Sequence, residues 1–259
     1  MKTQAVVPDP QVYAGGRLRA GLSAVSRSMH ALLDFVYPPR CLVCEVPLRP
    51  EDVLCASCIA DAPSYPMTAG VSHEHLASLS YSADARAMFV AFEFEPGGGI
   101  AETIHAMKYR GLHRMARWLG RVIGERCVGS ELLGGDPLLV PVPLHPVKQL
   151  ERGYNQAAEL CRGIADETGL AVVPDALRRA RYTASQAAMK LDLARRKSNT
   201  LNAFEVRPQR VALIRERPVI VVDDLITTGA TISECAFVLR EQGSPEVRLL
   251  AAARPPKAE

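Results

Sequence analysis

The sequence predicts an α/β protein, a doubly wound and mainly parallel sheet preceded by a small N-terminal four-cysteine module. Three observations carry that expectation. Apolar runs at Met88–Glu95, Leu138–Leu144, Leu170–Val173 and Val219–Val222 alternate with stretches of helical periodicity, the pattern of buried parallel strands joined by crossover helices. Two C-x-x-C pairs, Cys41/Cys44 and Cys55/Cys58, precede the first of those strands. The run Val219–Val222 passes into Asp223 and Asp224, then into a loop rich in threonine, Thr227-Thr228-Gly229-Ala230-Thr231, and then into a helix.

The 259 residues suffice for one α/β domain and a small accessory module, and 48% apolar with 23% charged residues is the composition of an ordinary folded chain. A net charge of +3 is too mild to argue for nucleic acid alone. No apolar run approaches the ~18 residues of a membrane span, so no membrane insertion is expected. The N-terminus lacks the layout of a signal peptide, and the expected location is cytoplasmic. Seven cysteines, four of them in two pairs, then indicate metal rather than disulfides in a reducing compartment.

In chain order, residues 1–16 are polar and carry Pro8, Pro10, Gly15 and Gly16, so disorder is expected there. Leu18, Leu22, Val25, Met29, Leu32, Leu33 and Val36 form a helical stripe that packs on its own protein or lies on a membrane surface. Each C-x-x-C wraps two thiolates around one ion, and two such knuckles complete a closed tetrahedral site. Structural Zn²⁺ is the expected ion; an Fe–S centre is the other cysteine-bound option. Ala62–Ser78, with Pro63, Pro66 and Gly70, reads as a linker.

The strand at Met88–Glu95 leads through Gly97-Gly98-Gly99 into a helix through Ile104 and Met107, and Glu102 excludes a dinucleotide fingerprint. Met115, Leu119, Val122 and Ile123 mark the buried face of the next helix. Arg114, Arg117 and Arg121 are left as a solvated face or as contacts to nucleic-acid phosphates. After Leu138–Leu144 a loop from Leu144 to Gly153 is expected, then a helix ending at Gly169. No strand pattern holds between Ala176 and Phe204, where Arg178, Arg179, Arg181, Lys190, Arg195, Arg196 and Lys197 make a basic loop or a solvated helix. Ile232, Cys235, Ala236 and Leu239 give the last helix, stopped by Gly243; Cys127, Cys161 and Cys235 read as core thiols.

The chemistry concentrates at the last strand-to-helix junction. Thr227–Thr231 can turn amides and hydroxyls toward one point at a helix N-terminus, where an anion is stabilised. Carboxylates do not bind phosphate, so Asp223 and Asp224 serve another part of the ligand. Vicinal ribose hydroxyls with a nearby Mg²⁺ fit best. The ligand described is a sugar 5-phosphate with free 2- and 3-hydroxyls. The P-loop lysine pattern is absent.

That stretch resembles the phosphoribosyl pyrophosphate (PRPP) motif of type I phosphoribosyltransferases. With the double C-x-x-C after Pro38-Pro39, Ile104-His-Ala-Met-Lys108-Tyr109-Arg110-Gly111, Val140-Pro-Val-Pro143-Leu144-His145, Arg152-Gly153-Tyr154-Asn155-Gln156, and Gln186 with Arg196 and Asn199, the chain resembles the ComF family from about Tyr37 to Arg254. The resemblance implies a type I phosphoribosyltransferase fold over 79–259, a Cys₄ zinc-ribbon module over 38–62, a linker over 63–78 and an N-terminal stretch over 1–37. It implies that Thr227, Thr228, Gly229, Ala230 and Thr231 hold the 5-phosphate and that Asp223 and Asp224 hold the ribose hydroxyls. Leu144, His145 and Arg152 would meet the pyrophosphate, and Lys108 with the basic stretch would cover the phosphates. Mg²⁺ would accompany PRPP, while Cys41, Cys44, Cys55 and Cys58 hold Zn²⁺. In salvage enzymes for 6-oxopurines an acid stands where this chain has Thr227, which disfavours a hypoxanthine–guanine acceptor. Three readings follow: a transferase with an unidentified nitrogen acceptor, a non-catalytic DNA uptake protein binding single-stranded DNA or a helicase partner, and a PRPP-responsive regulator. The low aromatic content, 5%, weakens the second, and the absence of a recognisable DNA-reading motif weakens the third.

Overall fold

Strand alternation sorts the core onto the two faces of one parallel sheet. The computed structural model describes residues 39–65, 85–109, 112–179 and 203–256. Its central sheet contains β1 (Ala87–Glu93), β2 (Leu138–Pro141), β5 (Val219–Leu225) and β6 (Val247–Arg254) in the order β1-β6-β5-β2, all parallel. Met88 and Val90, Leu138 and Val140, and Val219 and Val221 face one hydrophobic cluster; Phe89 and Ala91, Leu139, and Ile220 and Val222 face the other. Side chains two apart share a face, so each strand is apolar on both sides, as a sheet covered by helices on both faces requires.

One face carries α2 (Gly99–Tyr109), α3 (His113–Cys127) and α5 (Gln156–Thr168). The other carries α7 (Ala230–Glu241), α6 (Val211–Glu216) and a two-stranded antiparallel sheet of β3 (Leu177–Arg179) and β4 (Phe204–Val206). Helices α3 and α5 touch through their backbones. A Cβ on Gly163 would lie 2.1 Å from the Arg117 carbonyl oxygen, and one on Gly120 would lie 2.3 Å from that of Leu160. Cys127, Cys161 and Cys235 are fully buried, and burial pushes the Cys127 thiol up to about 12, which keeps it protonated and inert.

The four-cysteine module is part of the first core. Cys41, Val53 and Leu54 are buried with Phe92, Ile100 and Ile104, and α1 (Ala56–Ala60) carries its last knuckle. Arg114 donates to the Pro50 carbonyl at 3.4 Å and Arg121 to that of Glu51 at 3.3 Å, while Arg117 forms a bidentate pair with Asp166. These three arginines were expected on a solvated or nucleic-acid-facing surface; two of them instead fasten the cysteine module to α3. Past the module, Ser64 bridges Phe92 and extends the sheet beyond β1 in the antiparallel sense.

Other expectations change in detail. The Leu170–Val173 strand is reduced to one parallel bridge, Leu139 to Val172, at the edge of β2. Most of the Leu144–Gly153 loop is helical: α4 (Pro146–Arg152) starts on Pro146 with the His145 imidazole accepting from the Val147 amide, and stops at Gly153 with φ 76°. The Ala176–Phe204 stretch does contain strands at both ends, because Leu177 and Phe204 find core partners that local pattern does not reveal. The N-terminal helical stripe, and Arg181, Tyr182, Gln186, Lys190, Arg195, Arg196, Lys197 and Asn199, lie outside the described residues. Among the described residues no helix is long and apolar enough to cross a membrane.

Candidate functional site

Parallel pairing brings two loops to one edge. Pro141 is in register with Val222, and the Val142 amide donates to the Val222 carbonyl at 2.9 Å, so the turn after β2 lies beside the end of β5. In open parallel sheets ligands bind outside such carboxyl ends. β5 continues through Asp223 to Leu225, held by pairing to Ala251 and Ala253 of β6.

Strand alternation directs the two acids to opposite faces of the sheet. On the α2 side, the Asp224 carboxylate lies 3.1 Å from the Lys108 ammonium, with both side chains largely buried. On the other side Asp223 accepts from the Asp224 amide at 2.9 Å. Burial, then the charge of Asp224, push the Asp223 carboxyl up to about 7, against the Asp224 amide and the cations Lys108 and Arg179. Lys108 is therefore the counter-ion of the acid pair.

The loop after the pair is built for a helix start. Gly229 caps α7 at φ 73°, a left-handed conformation that favours glycine, and Ser233 donates back to its carbonyl. The amides of Thr227, Thr228 and Gly229 have no acceptor among the described residues. Thr228 Oγ1 accepts from the Ala230 amide at 3.4 Å, and Thr227 and Thr228 are exposed, with Ala230 and Thr231 half-buried behind them. Leu144 and His145 stand half-buried at the entry to α4.

Arg152-Gly153-Tyr154-Asn155-Gln156 acts as a clamp. Tyr154 Oη donates to the Met107 carbonyl at 2.6 Å, and Gln156 Nε2 donates to the same oxygen at 3.4 Å. Asn155 caps α5, accepting from Ala157, and donates to the Val142 carbonyl. The clamp ties the end of α2, and so Lys108, to the turn after β2. Arg152 donates to Gln156 at 3.1 Å and sits 5.9 Å from the centre of the Tyr109 ring. The anchoring role of this segment is not legible in the sequence, because the acceptor is a backbone carbonyl. Two further residues flank the site: Arg179 donates to the Pro143 carbonyl at 3.4 Å, and buried Glu234 accepts from the Ala203 amide at 2.6 Å.

The metal cluster is separate. The sulfurs of Cys41, Cys44, Cys55 and Cys58 lie within 4.8 Å of one another, with Cys44 and Cys55 at 3.6 Å. Tetrahedral Zn–S bonds of ~2.3 Å place sulfurs ~3.8 Å apart, so the set fits one zinc ion with no open position. Burial pushes the Cys41 thiol up, but the amides of Cys44, Cys55 and Val43 outweigh it and hold that thiol at about 6. Because Cys41 belongs to the main core, chelating the metal or replacing Cys41 with serine is expected to cost at least ~3 kcal/mol across the whole chain rather than in the module alone. A metal-free protein whose melting temperature is unchanged would contradict that coupling.

These features define an α/β protein with a four-stranded parallel sheet, an acid pair at the carboxyl end of an inner strand and a separate four-cysteine cluster. Residues 32–68 match the double zinc ribbon domain, within which this chain supplies four cysteines and no histidine, the ligands of one ion. The DNA utilization protein YhgH of Escherichia coli K12 is 27% identical over 81% of this chain and 87% of that one. Competence protein F of Haemophilus influenzae is 26% identical over 83% and 85%. The match to the Salmonella typhi YhgH is 30% identical, over 56% of this chain and 63% of the length of that relative. The solved glutamine PRPP amidotransferase from B. subtilis, complexed with ADP and GMP, aligns over 54% of this chain and 26% of that chain at 19% identity, with a TM-score of 0.38. The chain is thus similar to these DNA-utilization and competence proteins over more than four fifths of its length.

Proposed function

We propose that this chain binds PRPP with Mg²⁺ and transfers the phosphoribosyl group to a nitrogen acceptor in the cytoplasm. The observation that carries the reading is the acid pair at the end of β5, beside three loop amides at the start of α7 that have no acceptor among the described residues. Anions are stabilised at such a helix start, and carboxylates suit hydroxyl groups. Thr227–Thr231 would hold the 5-phosphate, and Asp223 and Asp224 the ribose 2- and 3-hydroxyls. Leu144 and His145 at the turn after β2 would meet the pyrophosphate.

The acceptor nitrogen forms its bond to C1 while the C1–O bond to pyrophosphate breaks. Pyrophosphate leaves with the bonding electrons, and the nitrogen's proton passes to solvent. Carboxylates flanking the sugar stabilise the positive charge that builds at C1. Carboxylate oxygens are suitable donors for Mg²⁺, whose charge would offset that of the leaving group. The test is pyrophosphate release from Mg–PRPP across ammonia, amino acids and nucleobases. Acceptor-dependent release with a matching ribosylated product is the expected result. A protein that binds PRPP but releases pyrophosphate with none of these acceptors would contradict transfer.

A second reading is favoured by the names of the relatives, which speak of DNA utilization and competence. The same fold would then bind single-stranded DNA or a helicase partner without turnover. Oligonucleotide binding that weakens steeply with salt, together with no pyrophosphate release, is its signature.

A further inference from the structure

We infer that Tyr109 and Arg152 form a stacking platform for a planar nitrogen heterocycle, a nucleobase or a ring of that size, at the mouth of the acid-pair site. The inference rests on the phosphoribosyl reading above, and it names the class of group that lies beside the sugar.

Tyr109 is the only phenylalanine, tyrosine or tryptophan left exposed among the described residues, at 69%. The other aromatic residue of this region, Tyr154, is buried against His113 with ring centres 3.8 Å apart. An exposed ring at a helix end contributes little to the core, so its contacts define its use. His105, one turn earlier on α2, lies 4.6 Å from the Tyr109 ring at a tilt of 41°. The Arg152 guanidinium lies 5.9 Å from the ring centre, held there by Gln156.

The backbone that carries the ring is tied to the acid pair. Tyr154 and Gln156 both anchor the carbonyl of Met107. The next residue, Lys108, reaches Asp224 at 3.1 Å, and Tyr109 follows it directly. A π-face with a neighbouring guanidinium is therefore carried one residue along α2 from the lysine that pairs with the carboxylate assigned to the ribose. A planar ring gains from stacking on tyrosine, and the guanidinium offers both a second stacking plane and in-plane N–H donors for ring nitrogens and carbonyls. An aliphatic amine has no face with which to stack on the ring or the guanidinium. The ring could come from a mononucleotide or from a base of a single strand; both present the same chemistry.

The experiment titrates the zinc-loaded full chain with ribose 5-phosphate, adenosine 5′-monophosphate and a short oligodeoxyadenylate, using wild type, Tyr109→Leu and Tyr109→Phe. Wild type is expected to bind the monophosphate more tightly than ribose 5-phosphate. Tyr109→Leu should lose roughly 5- to 100-fold of affinity for the base-bearing ligand and none for ribose 5-phosphate, while Tyr109→Phe keeps both. Weakening confined to the monophosphate identifies a mononucleotide source, and weakening confined to the oligonucleotide identifies a strand. Ribose 5-phosphate binding with no effect of Tyr109→Leu on either base-bearing ligand overturns the platform and leaves the sugar site standing. Wild type that binds neither ribose 5-phosphate nor the monophosphate overturns the phosphoribosyl reading, and the platform with it.

Discussion

Asp223→Asn is expected to lose PRPP affinity and to gain stability in the same protein. The carboxyl of Asp223 is held up at about 7 by burial and by the neighbouring charge of Asp224, whereas in the unfolded chain it ionises near 3.8. The folded state therefore binds the extra proton between those values. The stability linked to it is fully present below about pH 4 and is lost as pH rises through about 7. Asparagine cannot ionise, yet its side-chain oxygen can still accept from the Asp224 amide. At pH 8 the variant should be more stable by about 1–3 kcal/mol, with little difference at pH 4. Under the proposed function Asp223 faces the ribose hydroxyls, and removing its charge should then cost roughly 10- to 100-fold in PRPP affinity. Asp224→Asn should behave differently, because it leaves the largely buried Lys108 without its counter-ion and so destabilises. Thermal melts at both pH values check the pair. An Asp223→Asn protein less stable than wild type at pH 8 would mean the carboxylate is a stabilising element, not a strained one.

Gly163→Ala should be the most damaging single methyl group in the described chain. Its Cβ would meet the Arg117 carbonyl oxygen at 2.1 Å and the Gly120 Cα at 2.8 Å. Both are backbone atoms, so no side-chain rotation relieves the clash; α3 and α5 must move apart. α5 begins with the Tyr154–Gln156 clamp and α3 carries the arginines that grip the zinc module, so the displacement reaches both sites. A loss of about 3 kcal/mol or more is expected, at the upper end of overpacking effects. Gly129→Ala is the control: φ is 79° but nothing lies within 4 Å, so only ~1 kcal/mol of backbone cost is expected. Urea denaturation distinguishes the two, and equal midpoints would contradict the close crossing.

The sequence disclosed those parts of the fold in which local pattern and burial agree. Val219–Val222 is apolar on both faces and reads as a central strand, and Asn155 and Gly169 bound their helix as capping residues should. β6 was not read. Its Ala251-Ala252-Ala253 run has helical propensity, and only pairing to β1 on one side and β5 on the other makes it a strand. α4 went unread although Pro146 and Gly153 mark its ends, because Val147 and Leu150 face no core and leave no buried periodicity. The acid pair was visible as a motif. Its pairing with Lys108 is not legible in the sequence, because the 3.1 Å approach to Asp224 depends on how α2 lies against the sheet. Arg114 and Arg121 looked like a solvated face for the same reason; their acceptors are carbonyls of the distant cysteine module.

The central claim is that the end of β5 and the loop before α7 form a PRPP site. Calorimetric titration of Mg–PRPP into the zinc-loaded wild-type protein, beside the Asp223→Asn/Asp224→Asn double variant, tests it most directly. Saturable one-site binding by wild type, lost in a variant that keeps its zinc and its fold, is the predicted result. A wild-type protein that takes up no heat from Mg–PRPP, or a double variant that binds it as tightly, would contradict the account.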